Sequence, residues 1–399
     1  MGIQEMATPK IFTRDFILSF SSQFAFSSAF CILIPTIPIY LLRFGAKEGE
    51  IGFLVGIFSV SSLIFRPFVG RALLMTPERN FMIAGTLICV FSNLAYLFAP
   101  PFWPLLIVRA FHGIGLALFS TASFTLLANI TPETNRGRLV SYFYLSFNLA
   151  FALGPYFGMV FINRFSFTVL FLIGTGLSLG SFYMTTKLSE RKLIPSENLS
   201  RKFQPFLSRE ALPPSIIAFM LNIIWGSLSA FFPLYALRHG VANPGIFFIF
   251  LASTLFLGRI FGGRILDIYS REKVIMPCFI LIAVSIAILL FSSTLGMFIL
   301  VAVILGAGWA LLYPFLMIHA IENAGSVQGP AMATFTALAD LGAGLGPMIM
   351  GFILELMGYP IMLSCLILTA VINFLYFYYS IRKRARVGDL ADRVTELDS

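Results

Sequence analysis

The chain says nearly the same thing twice. Pro38-Ile-Tyr40-Leu-Leu42-Arg43-Phe-Gly45 returns as Pro233-Leu-Tyr235-Ala-Leu237-Arg238-His-Gly240, and Arg66-Pro-Phe68-Val-Gly70-Arg71 returns as Arg259-Ile-Phe261-Gly-Gly263-Arg264. Gly113-Ile-Gly115-Leu-Ala117 matches Gly306-Ala-Gly308-Trp-Ala310, and Gly154-Pro155 matches Gly346-Pro347. The four pairs keep their order and a separation of about 193 residues, so the chain folds as two copies of one unit. With 58% hydrophobic and only 11% charged residues, those units are membrane bundles; soluble domains carry about one quarter charged residues.

A helix needs about 20 apolar residues to cross the hydrocarbon layer. Runs of that kind fill 15–42, 51–73, 81–100, 104–129, 139–162, 166–186, 214–237, 246–267, 274–292, 296–319, 331–355 and 360–380. None alternates in the manner of a membrane-barrel strand. The predicted fold class is therefore an all-α membrane protein, its twelve transmembrane helices set in two pseudo-symmetric six-helix bundles. The one long polar stretch gives the boundaries: 1–186 for the N-terminal bundle, 187–213 for a central loop, 214–381 for the C-terminal bundle and 382–399 for a charged, frayed tail.

Lys and Arg collect on one face: Lys10, Arg14, Arg71, Arg79, Arg136, Arg138, the central loop, Arg264, Arg271, Lys273 and the tail. The opposite face has only Arg43, Lys47, Arg164 and Arg238, and three arginines (Arg66, Arg109, Arg259) lie inside apolar runs. The positive-inside rule puts both termini and the central loop in the cytoplasm. The net charge of +9 is this topological bias, so no nucleic-acid partner is implied. The first apolar run is too long for a cleavable signal and lacks a small-residue cleavage site. Cys31, Cys89, Cys278 and Cys365 have no metal-ligand spacing, and no metal or cofactor is expected.

Arg109-Ala-Phe-His112-Gly113-Ile-Gly115-Leu-Ala117 resembles the R-x-x-x-G-x-G-x-A signature of major facilitator superfamily transporters. Gly154-Pro155-Tyr-Phe-Gly158, with Ala150 at the first glycine position, is similar to the G-x-x-x-G-P-x-x-G motif of its antiporters. Pro35-Thr-Ile-Pro38 resembles the P-x-x-P ending the first helix of twelve-helix drug exporters. The resemblance covers almost the whole chain. It implies a monomeric, multi-pass protein of a prokaryotic cytoplasmic membrane that exchanges a small-molecule substrate with protons by alternating access.

The family's loop motif G-x-x-x-D-[RK]-x-G-[RK]-[RK] is degenerate in the first copy, where Leu74 replaces the aspartate after Gly70 and Arg71. The second copy keeps Gly263, Arg264 and Asp267. Those positions, with the symmetry mates Arg66 and Arg259, are expected at a cytoplasmic gate. There glycines allow close helix contact and charges pair in one state only. Gly113, Gly115, Gly154, Pro155, Gly346 and Pro347 are expected to pack helices.

Intramembrane ionisable groups are costly and mark function by default. Asp340 is the one carboxylate deep inside an apolar run, and its repeat partner is Asn148. It is the expected proton-coupling or substrate-binding acid. Arg109 and, three residues on, His112 share a helix face suited to anion binding or proton exchange. Gln23, Asn148 and Asn222 are expected to line a cavity, along with some of the 45 phenylalanines and Trp225, Trp309 or Tyr313, while His319 and Glu322 are expected in solvent.

The leading expectation is proton-coupled efflux of a small amphipathic or lipophilic molecule. Uptake of an organic anion by proton symport is the alternative, since buried arginines outnumber buried carboxylates. An intramembrane enzyme lacks convergent catalytic groups. A channel lacks a filter loop, and a sensor that kept the fold is the remaining class.

Overall fold

The computed structural model describes residues 13–100, 102–130, 136–189, 208–268, 271–323 and 328–397; the side chains of 128–141, 262–273, 323–329 and 381–397 lie outside that description. Every regular element among the described residues is an α-helix. Lipid offers no hydrogen bonds to the backbone, so an apolar chain satisfies its peptide groups within each helix.

The first span is a bent pair, Arg14–Cys31 and Leu33–Arg43. Thr13 caps it by accepting a hydrogen bond from the Phe16 amide at 3.2 Å. Pro35 has no amide hydrogen for the Cys31 carbonyl, which accounts for the bend at Ile32. Spans two to ten are Glu48–Ala72, Glu78–Ala95, Trp103–Ile130, Arg136–Arg164, Phe167–Thr186, Leu212–Arg238, Gly245–Ile268, Arg271–Leu290 and Leu295–Asn323. The last helical stretch, Gln328–Leu397, is two helices joined across a kink at Gly358, numbered eleven and twelve below.

Eight described helices are long and apolar enough to cross a membrane, while Gly245–Phe261 and Val274–Leu290 are shorter apolar helices. Span two begins at Glu48, three residues before the expected start, because the Glu50 carboxylate accepts from the Lys47 amide at 2.8 Å. Helical backbone also continues to Leu397, where a frayed tail was expected. Gly45, Gly240 and Gly358, with φ near 80°, end spans one, seven and eleven; only glycine adopts that geometry without strain.

Within each half, polar groups bind helix to helix. Ser22 bonds Ser181 at 2.9 Å and Thr185 at 2.8 Å, joining spans one and six. Asn93 reaches Ser178 at 3.3 Å. In the C-terminal half Asn373 donates to the Ile217 carbonyl at 3.1 Å, and the Tyr235 hydroxyl donates to the Leu289 and Ser292 carbonyls. Each such bond contributes about 0.6 kcal/mol in a bilayer.

The halves meet along two seams related by the repeat. In one, Gly49, Gly52 and Gly56 of span two lie on Glu355, Pro347 and Gly344 of span eleven. In the other, Gly245 of span eight lies on Pro155 and Tyr156 of span five. Gly52 and Gly245 are repeat mates, as are Pro347 and Pro155. Both contacts lie toward the end of the bundle poor in Lys and Arg, called the outer end below. Seen from the backbone, the protein is closed there.

A Cβ at Gly52 would overlap the Pro347 carbonyl. Gly52→Val should therefore destabilise the outer-closed form by about 1–3 kcal/mol. A cysteine placed at Ser229, inside the bundle, should react about tenfold faster with an impermeant thiol reagent added from the outer side. An unchanged rate would show that the contact does not hold the seam.

Candidate functional site

Between the halves lies a cavity of about 120 Å³, walled by Phe30, Phe58, Phe147, Phe151 and Trp225. Spans one, two, four, five, seven and eleven all contribute to it. Its lining includes one charged side chain, Arg109, and the small residues Ser59, Gly226, Ser229 and Ala343. Phe151 also meets Trp225 with ring centroids 5.3 Å apart, and Trp225 meets Trp309 at 5.7 Å. Aromatic contact between Phe151 and Trp225 thus joins the two halves at the cavity wall.

One helical turn inward of Ala343 is Asp340. Its carboxylate forms an ion pair with Arg66 Nε at 2.9 Å, joining span eleven to span two. The repeat-related contact runs from Arg259 Nη1 in span eight to Asn148 Oδ1 in span five at 3.5 Å. The same arginine is thus used twice, once against a charge and once against an amide. Tyr313 stands beside Asp340 and Asn222. Both members of the ion pair are partly exposed, Arg66 by 30% and Asp340 by 27% of the side chain, so the pair stands between helices with access to the space between the halves.

Outward of the cavity the asymmetry recurs. Glu355 accepts from the Gly49 amide at 3.2 Å and pairs with Lys47 at 3.6 Å. Glu48 pairs with Arg238 at 2.7 Å, and Arg238 also covers the Tyr359 ring. At the related seam Asn163, the repeat mate of Glu355, donates to the Ala242 carbonyl at 2.9 Å. Two seams therefore close the outer side, one by charges and one by a neutral bond.

The sequence-derived residues fall into distinct places. Asp340, Arg66, Arg259 and Asn148 come together at the seams, although the sequence had not paired them. Arg109 Nε donates to the Leu54 carbonyl at 3.1 Å, and its guanidinium lies 4.7 Å from the Phe58 ring centre. His112 bonds the Tyr96 hydroxyl at 3.0 Å and is not part of the cavity wall. Gln23, expected in the cavity, instead bonds Ser27 and Ser123 within the N-terminal half. Asn222 and Asn148 also lie outside the wall; Asn222 donates to the Ala218 carbonyl. These amides find partners on their own or neighbouring helices, and this removes them from the cavity surface.

Gly113 packs on Phe58 and Ser61, Gly115 on Gly85 and Cys89, Gly154 on Cys31, and Gly346 on Ile223. Gly70, expected at a close helix contact, instead faces open space, and Arg71 is exposed. The side chains of Gly263, Arg264 and Asp267 lie outside the described residues. His319, expected in solvent, is half-buried and stacked on Phe315 at 5.7 Å; Glu322 is exposed. Which phenylalanines form the wall was not specified by the sequence, and the outer acids Glu48 and Glu355 were missed as site residues. For Glu355 a signal existed: its repeat mate is Asn163, the same acid-to-amide change as Asp340 to Asn148.

The family model of the Major Facilitator Superfamily matches residues 16–324 and 245–394. The chain belongs to the major facilitator superfamily. It is 26% identical over 390 residues to the staphylopine export protein of Staphylococcus aureus, covering 93% of this chain and 96% of that one. It is 24% identical to multidrug resistance protein 2 of Bacillus subtilis, over 88% and 91% of the two chains. A bacterial homologue of the human lysosomal transporter Spinster, in an inward-facing and unoccupied conformation, shares the fold with a TM-score of 0.75 at 14% identity, covering 94% of this chain and 98% of that one. This superfamily member is accordingly a multi-pass integral membrane protein and a secondary transporter of small molecules, not an enzyme.

The outer clasp of this transporter should yield to charge removal. With Glu355 and Glu48 both replaced by Gln, spin labels at Phe165 and Leu295 should report a new, longer distance population at the outer end. An unaltered distance distribution would show that the glycine seams alone keep that side shut.

Proposed function

We propose that this transporter is a proton-coupled exporter of a small amphipathic compound and that Asp340 carries the proton. The observation behind this reading is the Arg66–Asp340 ion pair, which ties span two to span eleven across the two halves. Ionised Asp340 attracts Arg66 and holds the inner third of the bundle together. Protonated Asp340 loses that attraction, so the inner ends separate at lower cost. A proton arriving from the outside thus favours the inward-open state, and its release inside allows the pair to re-form around bound cargo. Coupling of this kind requires on the order of 1–3 kcal/mol between the two states, or 5–150-fold. A partly exposed ion pair between helices is of the right size.

Arg259 and Asn148 supply a second contact whose strength is largely independent of pH, since an amide does not titrate. One seam therefore responds to protons while its mate remains a hinge. Export as the direction is supported by the exporter-like Gly154-Pro155 and Pro35-Thr-Ile-Pro38 and by the names of the two relatives, an export protein and a multidrug resistance protein. We place the protein as a monomer in a prokaryotic inner membrane with both termini cytoplasmic. Both walls of the cavity come from one chain, and the charge distribution gives the orientation.

Asp340→Asn should abolish proton-driven accumulation of a panel of amphipathic dyes in everted vesicles, while Asn148→Ala should retain at least a tenth of it. Arg66→Gln should reduce the rate about tenfold or more. Full proton-driven accumulation by Asp340→Asn would overturn the assignment of the proton. Accumulation only in right-side-out vesicles would reverse the direction.

A further inference from the structure

Arg109 is 4% exposed. Its described partners are neutral: the Leu54 carbonyl, the Phe58 ring and the Tyr96 hydroxyl. Among the described residues it forms no ion pair, whereas Arg66 has Asp340 and Arg238 has Glu48. A guanidinium in such a site has lost most of its water and gained only dipoles and a ring face. Its full complement would be a carboxylate, which takes two of its N–H groups at once.

Among the described residues Arg109 is also the one charged group in the cavity wall. Around it stand Phe30, Phe58, Phe147, Phe151 and Trp225, surfaces that receive a flat apolar body. A cationic ligand would find no free acid there, because Asp340, a turn inward of Ala343, is engaged by Arg66. We infer that the cavity is a binding site for amphipathic organic anions, with Arg109 receiving the carboxylate and the aromatic wall receiving the ring system. This rests on the transporter reading above and names the substrate class of that same cavity. It narrows an amphipathic cargo to one with a negative head.

The wild-type protein in nanodiscs tests this directly by isothermal titration calorimetry. 2-Naphthoate and 4-phenylbutyrate would be compared with their uncharged amides, which keep the same apolar bodies. At least one carboxylate should bind tenfold or more tightly than its amide. Arg109→Gln should reduce that ratio to about one, and Arg109→Lys should keep part of it, since the charge stays and the planar fork is lost. Equal affinities within both pairs, tighter binding of the amides, or no binding by any of the four would overturn the inference, as would a preference that survives Arg109→Gln. The comparison needs no proton gradient. A failed Asp340→Asn experiment therefore leaves the anion site standing, and a failed anion preference leaves the proton assignment standing.

Discussion

The close approach of spans two and eleven governs the rest of the structure. Gly52 and Gly56 bring one backbone against Pro347 and Gly344 of the other. Once the helices touch there, their residues are in register along the whole seam. Lys47 and Glu48 arrive at Glu355 and Arg238 on the outer side, and Arg66 arrives at Asp340 farther in. Larger residues would part the helices by several ångströms, and each of those charges would lose its partner. In lipid, where no hydrophobic force draws helices together, small residues and polar pairs are what remains to do it.

The repeat makes the second seam a natural control for the first. Gly245 on Pro155 copies Gly52 on Pro347, Arg259 with Asn148 copies Arg66 with Asp340, and Asn163 with Ala242 copies Glu355 with Gly49. Geometry is kept at all three levels and charge is not. Both span-eleven acids of the first seam, Asp340 and Glu355, are amides in the second. Two equal seams would respond equally to a proton; an acid on one side only makes the response directional. The symmetry supplies a scaffold that can rock, and its violation supplies a place for chemistry.

Much of this was legible in the residues. Span limits followed from hydropathy to within a few residues, because twenty apolar residues in lipid have one good solution, a helix. Asp340 and Arg109 stood out because charge is expensive there. Less legible were the partners. Nothing local in Arg66-Pro-Phe68 says that its counterpart lies in span eleven, and nothing local marked Phe151 among the 45 phenylalanines or set Gln23 apart from the cavity. Gln23 instead satisfies its amide on Ser27 and Ser123, whereas Phe151 reaches Trp225 across the interface. The first loop motif was less telling: among the described residues nothing lies close to Gly70, where a tight helix contact was expected.

By itself the amino-acid order determined that this chain is a duplicated helical membrane bundle and which of its buried charges are unusual. Hydropathy and periodicity are local properties, and a repeat needs only comparison of the chain with itself. Tertiary structure decided which charges meet, which aromatic rings face the space between the halves, and that Arg109 enters that space with no acid of its own among the described residues. Those outcomes depend on where helices more than a hundred residues apart come to rest, and packing at a few glycines sets that.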